Sequence, residues 1–184
     1  MPVITVTLIK GYDEDFRQRL SERLTDTARM FTGAQADGVT IVINEVDRGS
    51  YLRGRMKRTP GTPPIPPAEI ALSYLAAMEE RNLEHARSFL AEDFTMTFPG
   101  GSRFKSLEEL IDWSKNRYRS IKKTIEDVHE VPLEEGAIAY CSGTLVGEWP
   151  DGSPFSGIRF VDRFSIRDGK LADQQVWNDL AEAR

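Results

Sequence analysis

The chain opens with an alternation of apolar and polar residues from Val3 to Ile9, which is typical of a β-strand. An amphipathic helix is predicted next, with Asp13 as its cap, Gly33 as its end, and an apolar stripe formed by Phe16, Leu20, Leu24, Ala28 and Phe31. A second strand is predicted over Val39 to Ile43. This order predicts two parallel strands joined by a right-handed crossover. Because a two-stranded sheet cannot bury both faces, the segment needs another copy or another domain to cover it.

A proline-rich segment follows this first unit. Five of the ten prolines fall within residues 60–67, and such a run forms a stiff, extended linker. We therefore predict a first domain over residues 1–58, a linker over 59–67 and a second domain over 68–184.

The second domain starts with helical patterns and ends with strands. Helices are predicted from Pro67 to about Asn82, from about Glu84 to Ala91, and after the capping box that begins at Ser106. The predicted strands are Phe94 to Phe98, Thr124 to Val131, Ala137 to Trp149, Phe155 to Arg167 and Leu171 to Asn178. Helices followed by an antiparallel meander predict an α+β fold, with helices packed on a curved sheet.

Composition narrows the class of protein. The 184 residues carry 24 basic and 29 acidic side chains, a net charge of −5, which gives no electrostatic footprint for nucleic acid or an anionic membrane. No apolar stretch reaches the roughly 20 residues of a membrane helix, and Met1-Pro2 leads into a strand without a basic signal region. The single Cys141 cannot form an internal disulfide. We expect a cytoplasmic protein.

Pro2 is the first candidate for chemistry. If Met1 is removed, Pro2 carries a secondary amine, and an apolar pocket favours the neutral form that acts as a general base. If Met1 stays, the nitrogen is an amide and this chemistry is lost.

The first domain resembles the 4-oxalocrotonate tautomerase family over nearly all of residues 2–58. The resemblance is carried by Met1-Pro2-Val3-Ile4-Thr5-Val6, Lys10-Gly11-Tyr12, the amphipathic helix, Val39-Thr40-Ile41-Val42-Ile43-Asn44-Glu45 and Gly49-Ser50-Tyr51. It implies an oligomerising β-α-β unit in which Pro2 moves a proton in an enol or α-keto acid, with Tyr51 as an aromatic pocket residue. The two arginines that usually bind carboxylate are replaced by Tyr12 and Thr40. Arg53 and Arg55, in a basic cluster, could replace them or could form a solvated edge.

Polar residues also face the apolar side of the second domain. Strand alternation places Asp162 on the face of Phe160 and Phe164, where a lone carboxylate must pair or stay protonated. The same parity argument turns His129 inward beside Val131. An inward carboxyl with an inward imidazole indicates a pocket, and the alternative is that each is a structural group.

The second domain resembles the nuclear transport factor 2-like superfamily, in particular SnoaL-like cyclases and ketosteroid isomerases, over about residues 68–182. The motifs are Ala71-Leu72-Ser73-Tyr74-Leu75-Ala76-Ala77-Met78, Phe89-Leu90-Ala91-Glu92-Asp93-Phe94 and Phe164-Ser165-Ile166-Arg167-Asp168-Gly169-Lys170-Leu171. In the comparison with the ketosteroid isomerases, Tyr74 and Asp162 fall on the tyrosine and the neutral aspartic acid that together bind an oxyanion. Phe98 replaces the catalytic base. Trp113 and Trp177 are candidates for the pocket wall.

The leading interpretation is a two-domain isomerase: Pro2 is the base, and the second domain binds a small apolar carbonyl compound. Two alternatives stay open: a binding protein without turnover, and a first unit that serves assembly only. No metal cluster, phosphate loop or dinucleotide motif is visible, so no cofactor is assigned. We expect a small-molecule ligand, no nucleic acid or membrane partner, and a homo-oligomer.

Overall fold

The computed structural model describes residues 1–183. Its chain divides into two compact units, residues 1–63 and the part from residue 64 onward. None of the helices within the described residues is long and apolar enough to span a membrane.

The first unit is a β-α-β fold followed by a short hairpin. Its elements are β1 (Val3–Ile9), α1 (Glu14–Thr32), β2 (Thr40–Val46), β3 (Leu52–Arg53) and β4 (Met56–Lys57). β1 and β2 pair in parallel, from Val3 opposite Thr40 to Ile9 opposite Val46, as the order of elements predicts. β2 extends three residues beyond the predicted Ile43 because these residues continue the parallel pairing.

Helix α1 has the predicted ends. The Asp13 side chain accepts a hydrogen bond from the Phe16 N–H at 2.7 Å. Gly33 adopts a left-handed conformation (φ 69°) and donates its N–H to the Arg29 carbonyl at 2.9 Å. This is the arrangement that lets glycine end a helix without strain from a Cβ atom.

The first unit has little interior. Among residues 1–63, all of which the structure describes, no side chain is fully buried. Ile4 and Val6 lie half-buried on one face of β1, while Val3 on the other face is 64% exposed. Phe31, predicted to belong to the apolar stripe of α1, is 83% exposed because it lies in the last turn, beyond the sheet-facing part. The sheet face that carries Val3 and the carboxy-terminal end of α1 are therefore exposed in a single copy of the chain.

The second unit is a six-stranded sheet with helices on one face. Its elements are α2 (Pro67–Glu79), α3 (Leu83–Ser88), β5 (Leu90–Phe98), β6 (Ser102–Phe104), α4 (Leu107–Ser114), β7 (Ser120–Pro132), β8 (Ala137–Glu148), β9 (Pro154–Arg167) and β10 (Lys170–Asn178). The strand order is β6-β5-β10-β9-β8-β7. The predicted α+β class is thus confirmed, and β5 and β10 add one parallel pair to an otherwise antiparallel sheet.

Two boundaries in this unit differ from the sequence pattern. α2 ends at Glu79 and not near Asn82, because the Asn82 side chain accepts from the His85 N–H at 3.1 Å and starts α3. β5 begins at Leu90, four residues earlier than predicted, because Leu90 already pairs with Leu171 of β10.

The core lies between α2, α4 and the inner face of the sheet. Tyr74 and Phe164 are the largest fully buried side chains, and their rings meet edge to face with centroids 5.8 Å apart. The first turn of α2 is held by Glu130 of β7, whose Oε1 accepts from the Ala68 N–H at 2.7 Å. A carboxylate there satisfies a free helix donor and interacts favourably with the helix dipole. This contact fixes the helix that carries Tyr74.

Candidate functional site

Pro2 lies at the amino-terminal end of the parallel sheet. Its ring is half-buried, and its carbonyl accepts from the N–H of Thr40, the first residue of β2, at 3.0 Å. Met1 is 93% exposed, so its removal would break few contacts. Thr40 itself is exposed beside Pro2. The structure thus brings together two of the predicted site residues of the first unit.

Tyr12 lies at the other end of β1. Its ring stacks on Phe16 with centroids 4.3 Å apart, and its carbonyl accepts from the Arg17 guanidinium at 2.6 Å. Seven strand residues separate this end from Pro2, a distance of about 20 Å. One copy of the chain therefore does not place Tyr12 beside Pro2, and the contacts of Tyr12 are those of a packing aromatic.

The basic hairpin also starts from the far end of the sheet. Tyr51 follows β2 and is half-buried, and its carbonyl accepts from the Arg58 N–H at 3.3 Å. Arg53 is exposed in β3, and Arg55 is exposed in the turn with φ 66°. Because β2 runs away from Pro2, a single copy gives no geometric link between these cations and the proline.

The second unit contains a buried charge pair. Asp162 is completely buried in β9, on the inner face that the strand alternation predicts. Its Oδ2 is bound by the Nζ of Lys123 from β7, a side chain that is 23% exposed. Burial raises the pKa of the Asp162 carboxyl, and Lys123 opposes that rise by favouring the charged form. The Asp162 Oδ1 atom is buried and has no hydrogen-bond partner among the described residues.

Tyr74 lies in the same polar region without sharing a hydrogen bond with Asp162. Its hydroxyl donates to Oε1 of Gln174 in β10 at 3.2 Å and lies 3.8 Å from the Met96 sulfur. Burial raises the pKa of Tyr74, and the negative charge of Asp162 raises it further. The predicted oxyanion pair is therefore engaged elsewhere: Tyr74 with Gln174, and Asp162 with Lys123.

Cys141 adds a neutral group beside the charge pair. It lies directly opposite Asp162 in the β8–β9 register and is fully buried. Burial raises the pKa of the Cys141 thiol to about 11, and the charge of Asp162 acts in the same direction. The thiol therefore stays protonated near neutral pH.

An aromatic group lies near the Pro-Gly turn after β5. Phe98, which takes the place of the base in the resemblance, packs on Phe104 and Trp113 with centroid distances of 5.9 and 5.6 Å. The Arg117 guanidinium lies 4.4 Å from the Trp113 ring centroid. Phe98 and Trp113 are both half-buried against the core, so this side of the unit is apolar.

A cavity of about 250 Å³ lies in the second unit, lined by Arg117, Trp149, Leu180 and Ala181. Trp149 and Leu180 belong to an apolar cluster that also contains Phe160. The lining supplies a cation and apolar surface. Nowhere in residues 1–183 do three His, Cys, Asp or Glu side chains lie together as a metal ion requires.

Two predicted pocket residues face solvent. His129 is exposed because the β7–β8 register shifts between Ile125 and Asp127, and this bulge reverses the side-chain parity beyond it. Trp177 is 51% exposed because its neighbour Val176 takes the inward position in β10. The prediction that His129 faces inward is wrong, and Trp177, a candidate for the pocket wall, lies on the outer face of β10.

Lys123 and Gln174 are the residues that the sequence reasoning missed. Lys123 has the parity of Ile121 and Ile125, which precede the bulge and are both half-buried. The same alternation that indicated Asp162 could have found it, but the strand was predicted to start at Thr124. Strand alternation did not indicate that Gln174 faces inward, because the register of β10 shifts between Leu171 and Asp173.

The second unit, with helices on one face of a mostly antiparallel six-stranded sheet, has the fold of solved NTF2-like proteins. Residues 71–174 match the family model described as a SnoaL-like domain, which is more than half of the chain. The chain therefore belongs to the SnoaL-like family, and residues 2–59 match the tautomerase enzyme family. Both resemblances drawn from the sequence are confirmed.

Solved structures support the fold of the second unit. An NTF2-like protein of unknown function from Burkholderia pseudomallei K96243 is 18% identical, with a TM-score of 0.53 over 62% of this chain and 92% of that chain. TerC, co-crystallised with polyporic acid, is 15% identical with a TM-score of 0.52 over the same shares. An NTF2-like protein from Burkholderia xenovorans LB400 is 20% identical, with a TM-score of 0.50, over 62% of this chain and 92% of that chain. The search of curated proteins found no match.

Proposed function

We propose that the protein is an isomerase of the tautomerase type, in which Pro2 is the general base, and that its SnoaL-like domain binds a small apolar carbonyl compound. The observation that carries the proposal is the place of Pro2. It is half-buried at the end of a parallel β-α-β sheet, and the tautomerase match begins at residue 2. The exposed Met1 is accessible to removal.

The chemistry requires a neutral secondary amine. An α-amino group has a pKa of about 7.7 to 8.0, and apolar surroundings lower that value toward neutrality. The Pro2 nitrogen then takes the proton from an enol hydroxyl and delivers it to the neighbouring carbon, so that a C–H bond and a carbonyl form. The ring fixes the direction of the nitrogen lone pair.

The substrate is proposed to be neutral or monoanionic. Tyr12 and Thr40 stand where the tautomerase family usually has carboxylate-binding arginines, and neither carries a charge. The exposed Arg53 and Arg55 reach Pro2 only if a second copy of the chain brings its hairpin to the proline end. We therefore propose a homo-oligomer, in which the uncovered sheet face of one copy is buried by another.

The alternative is a ligand-binding protein whose first unit serves assembly. Phe98 in an aromatic cluster at the position of the isomerase base favours it, because a phenyl ring cannot move a proton. The polar interior of the SnoaL-like domain would then bind a ligand without converting it. The neighbour co-crystallised with polyporic acid makes that compound a reasonable first probe of binding.

The test compares wild type with Pro2→Ala in the ketonisation of enol-phenylpyruvate, using protein whose loss of Met1 is verified by intact mass. A general base contributes about 10²- to 10⁴-fold, and we expect Pro2→Ala to lose a large part of that factor because alanine lacks the ring. Pro64→Ala, at an exposed linker position, is the matched control and keeps the wild-type rate. Equal rates for wild type and Pro2→Ala would favour the binding protein.

A further inference from the structure

The cavity of about 250 Å³ in the second unit is lined from three separate segments of the chain. Arg117 lies just after α4, Trp149 starts the turn between β8 and β9, and Leu180 and Ala181 follow β10. Ala181 is exposed, while Arg117 and Trp149 are half-buried, so the cavity opens to solvent. None of these four residues was a candidate from the sequence pattern.

The backbone fixes the two larger side chains of the lining. The Arg117 N–H donates to the Ser114 carbonyl at 2.9 Å, and the Trp149 N–H donates to the Ser153 carbonyl at 2.8 Å. The Trp149 ring packs on Phe155 with centroids 4.6 Å apart. A wall that is already ordered loses little conformational entropy when a ligand binds to it.

Arg117 supplies a charged group to the lining. Its guanidinium lies 4.4 Å from the Trp113 ring centroid, and such a contact uses the positive charge and none of the N–H donors. A guanidinium has five N–H donors in a planar fork, and two of them match the two oxygens of a carboxylate. Arg117 therefore has the chemistry for a bidentate contact with a carboxylate.

A second cation adds to the positive potential near Arg117. Burial raises the pKa of Tyr118, and a hydrogen bond with Ser114 and the charges of Arg81 and Arg117 oppose that rise. Both guanidinium groups thus lie close enough to act on the same hydroxyl group. Their combined field favours an anion at this end of the second unit.

Two acidic residues that flank the lining in the sequence belong to other ion pairs. Glu148 pairs with Arg119 at 3.7 Å, and Asp179 pairs with Arg159 at 2.7 Å. Each of these carboxylates therefore has its own cation.

The remaining lining is apolar and matches the size of one aromatic ring. Trp149 and Leu180 belong to the same apolar cluster as Phe160. An apolar cavity of roughly 150 Å³ holds a benzene molecule. The cavity of about 250 Å³ therefore has room for one ring and a short chain.

We propose that this cavity binds the anion of an aryl-substituted carboxylic acid, with the carboxylate on Arg117 and the aryl ring against Trp149 and Leu180. The negative charge distinguishes this ligand from a neutral ketone or amide of the same size. The proposal names a ligand class for the SnoaL-like domain, so it rests on the proposed ligand-binding role of that domain and is independent of Pro2.

The experiment is a calorimetric titration of the full chain with 3-phenylpropanoate, 3-phenylpropanamide and propanoate. The amide keeps the ring without the charge, and propanoate keeps the charge without the ring. None of the three is an enol, so turnover at Pro2 does not contribute to the heat. We expect phenylpropanoate to bind about tenfold more tightly than either of the others, because it alone makes both contacts. Equal affinity for phenylpropanoate and either other probe, or no binding of phenylpropanoate, would overturn the proposal.

Variants then locate the effect. Arg117→Gln should bind phenylpropanoate and the amide equally. Arg119→Gln is the matched control, since the Arg119 side chain is 70% exposed and pairs with Glu148; it keeps the tenfold preference. A preference that survives in Arg117→Gln contradicts the site.

A bulkier residue at an exposed lining position tests the same site without removing a charge. Ala181→Phe places a ring in the cavity, and we expect it to weaken the binding of phenylpropanoate and of the amide by at least about fivefold. Because Ala181 is exposed, this variant decides the question even where Arg117→Gln fails to fold. Unchanged affinities in Ala181→Phe would overturn the proposed location.

One further variant separates this proposal from the proposed isomerase. Pro2→Ala should keep the wild-type preference for phenylpropanoate over the amide even where it loses ketonisation activity. A wild type that ketonises but binds acid and amide equally counts against the cavity only. A wild type that prefers the acid, but whose ketonisation does not change in Pro2→Ala, counts against the catalytic proline only.

Discussion

The substitution Lys123→Met should destabilise the second unit, and the loss should depend on pH. The methionine keeps the apolar stem of the lysine and removes the ammonium that binds Asp162 Oδ2. The buried carboxylate then has no partner on either oxygen. Removing one member of a buried ion pair typically costs about 3 to 5 kcal/mol.

Protonation sets a ceiling on this loss. The unpaired carboxyl of Asp162 can take a proton, and this protonation costs about 1.4 kcal/mol of stability for each unit by which the pH exceeds its ordinary pKa of about 3.9. The ceiling is therefore about 4 kcal/mol at pH 7 and about 1.5 kcal/mol at pH 5. In the Lys123→Met variant nothing opposes the rise that burial gives to the pKa of Asp162, so the folded variant favours the protonated form, and its stability is lost as the pH rises from the ordinary pKa through that raised pKa. We expect a loss of about 2 to 4 kcal/mol at pH 7 and less than about 1.5 kcal/mol at pH 5.

Urea unfolding followed by tryptophan fluorescence measures this loss in the intact chain. All three tryptophans, Trp113, Trp149 and Trp177, lie in the second unit, so the signal reports on that unit. Lys122→Met, which removes an exposed pair, should cost less than about 1 kcal/mol. The double variant Lys123→Met/Asp162→Leu should recover most of the stability. A loss below about 0.5 kcal/mol at pH 7, against the 3 to 5 kcal/mol typical of such pairs, would refute the reasoning, as would an equal loss at both pH values.

Two more outcomes are expected. Gly143→Ala should destabilise the second unit by more than about 1 kcal/mol in the same unfolding assay. A Cβ atom at this position would clash with the Thr124 carbonyl oxygen at the β7 bulge, and Gly143 has a positive φ. An unchanged free energy of unfolding would contradict the bulge geometry. Light scattering should show an oligomer at micromolar concentration, and Val3→Lys on the uncovered sheet face should weaken it; a monomeric wild type would remove that proposal.

Strand alternation succeeded where the strand is regular and failed where it is not. Asp162 lies in the unbroken stretch from Ile158 to Ile166, so its inward position could be read directly from its neighbours. His129 lies beyond the bulge in β7, and one extra residue reverses the face of every side chain that follows. A bulge is set by the pairing with β8 and leaves no clear mark in the sequence of β7.

In the candidate site, the sequence pattern predicted which way a side chain faces but not which other side chain it contacts. The inward carboxylate was predictable, but its counter-ion comes from Lys123, 39 residues earlier and two strands away in the sheet. In the first unit, the motifs placed Pro2 and Tyr12 on adjoining segments, yet the strand between them holds them about 20 Å apart. Local patterns predict which face a side chain takes, and the tertiary arrangement decides which groups meet.

The central claim, that a proline amine at position 2 performs the proton transfer, is tested most directly without any mutation. A preparation that retains Met1 is treated with methionine aminopeptidase, and samples are taken for intact mass and for ketonisation of enol-phenylpyruvate. The exposed Met1 makes the terminus accessible to the peptidase. We expect the rate to rise in proportion to the fraction of chains that begin at Pro2, from a background close to the uncatalysed reaction. A rate that stays the same while Met1 is removed would contradict the claim.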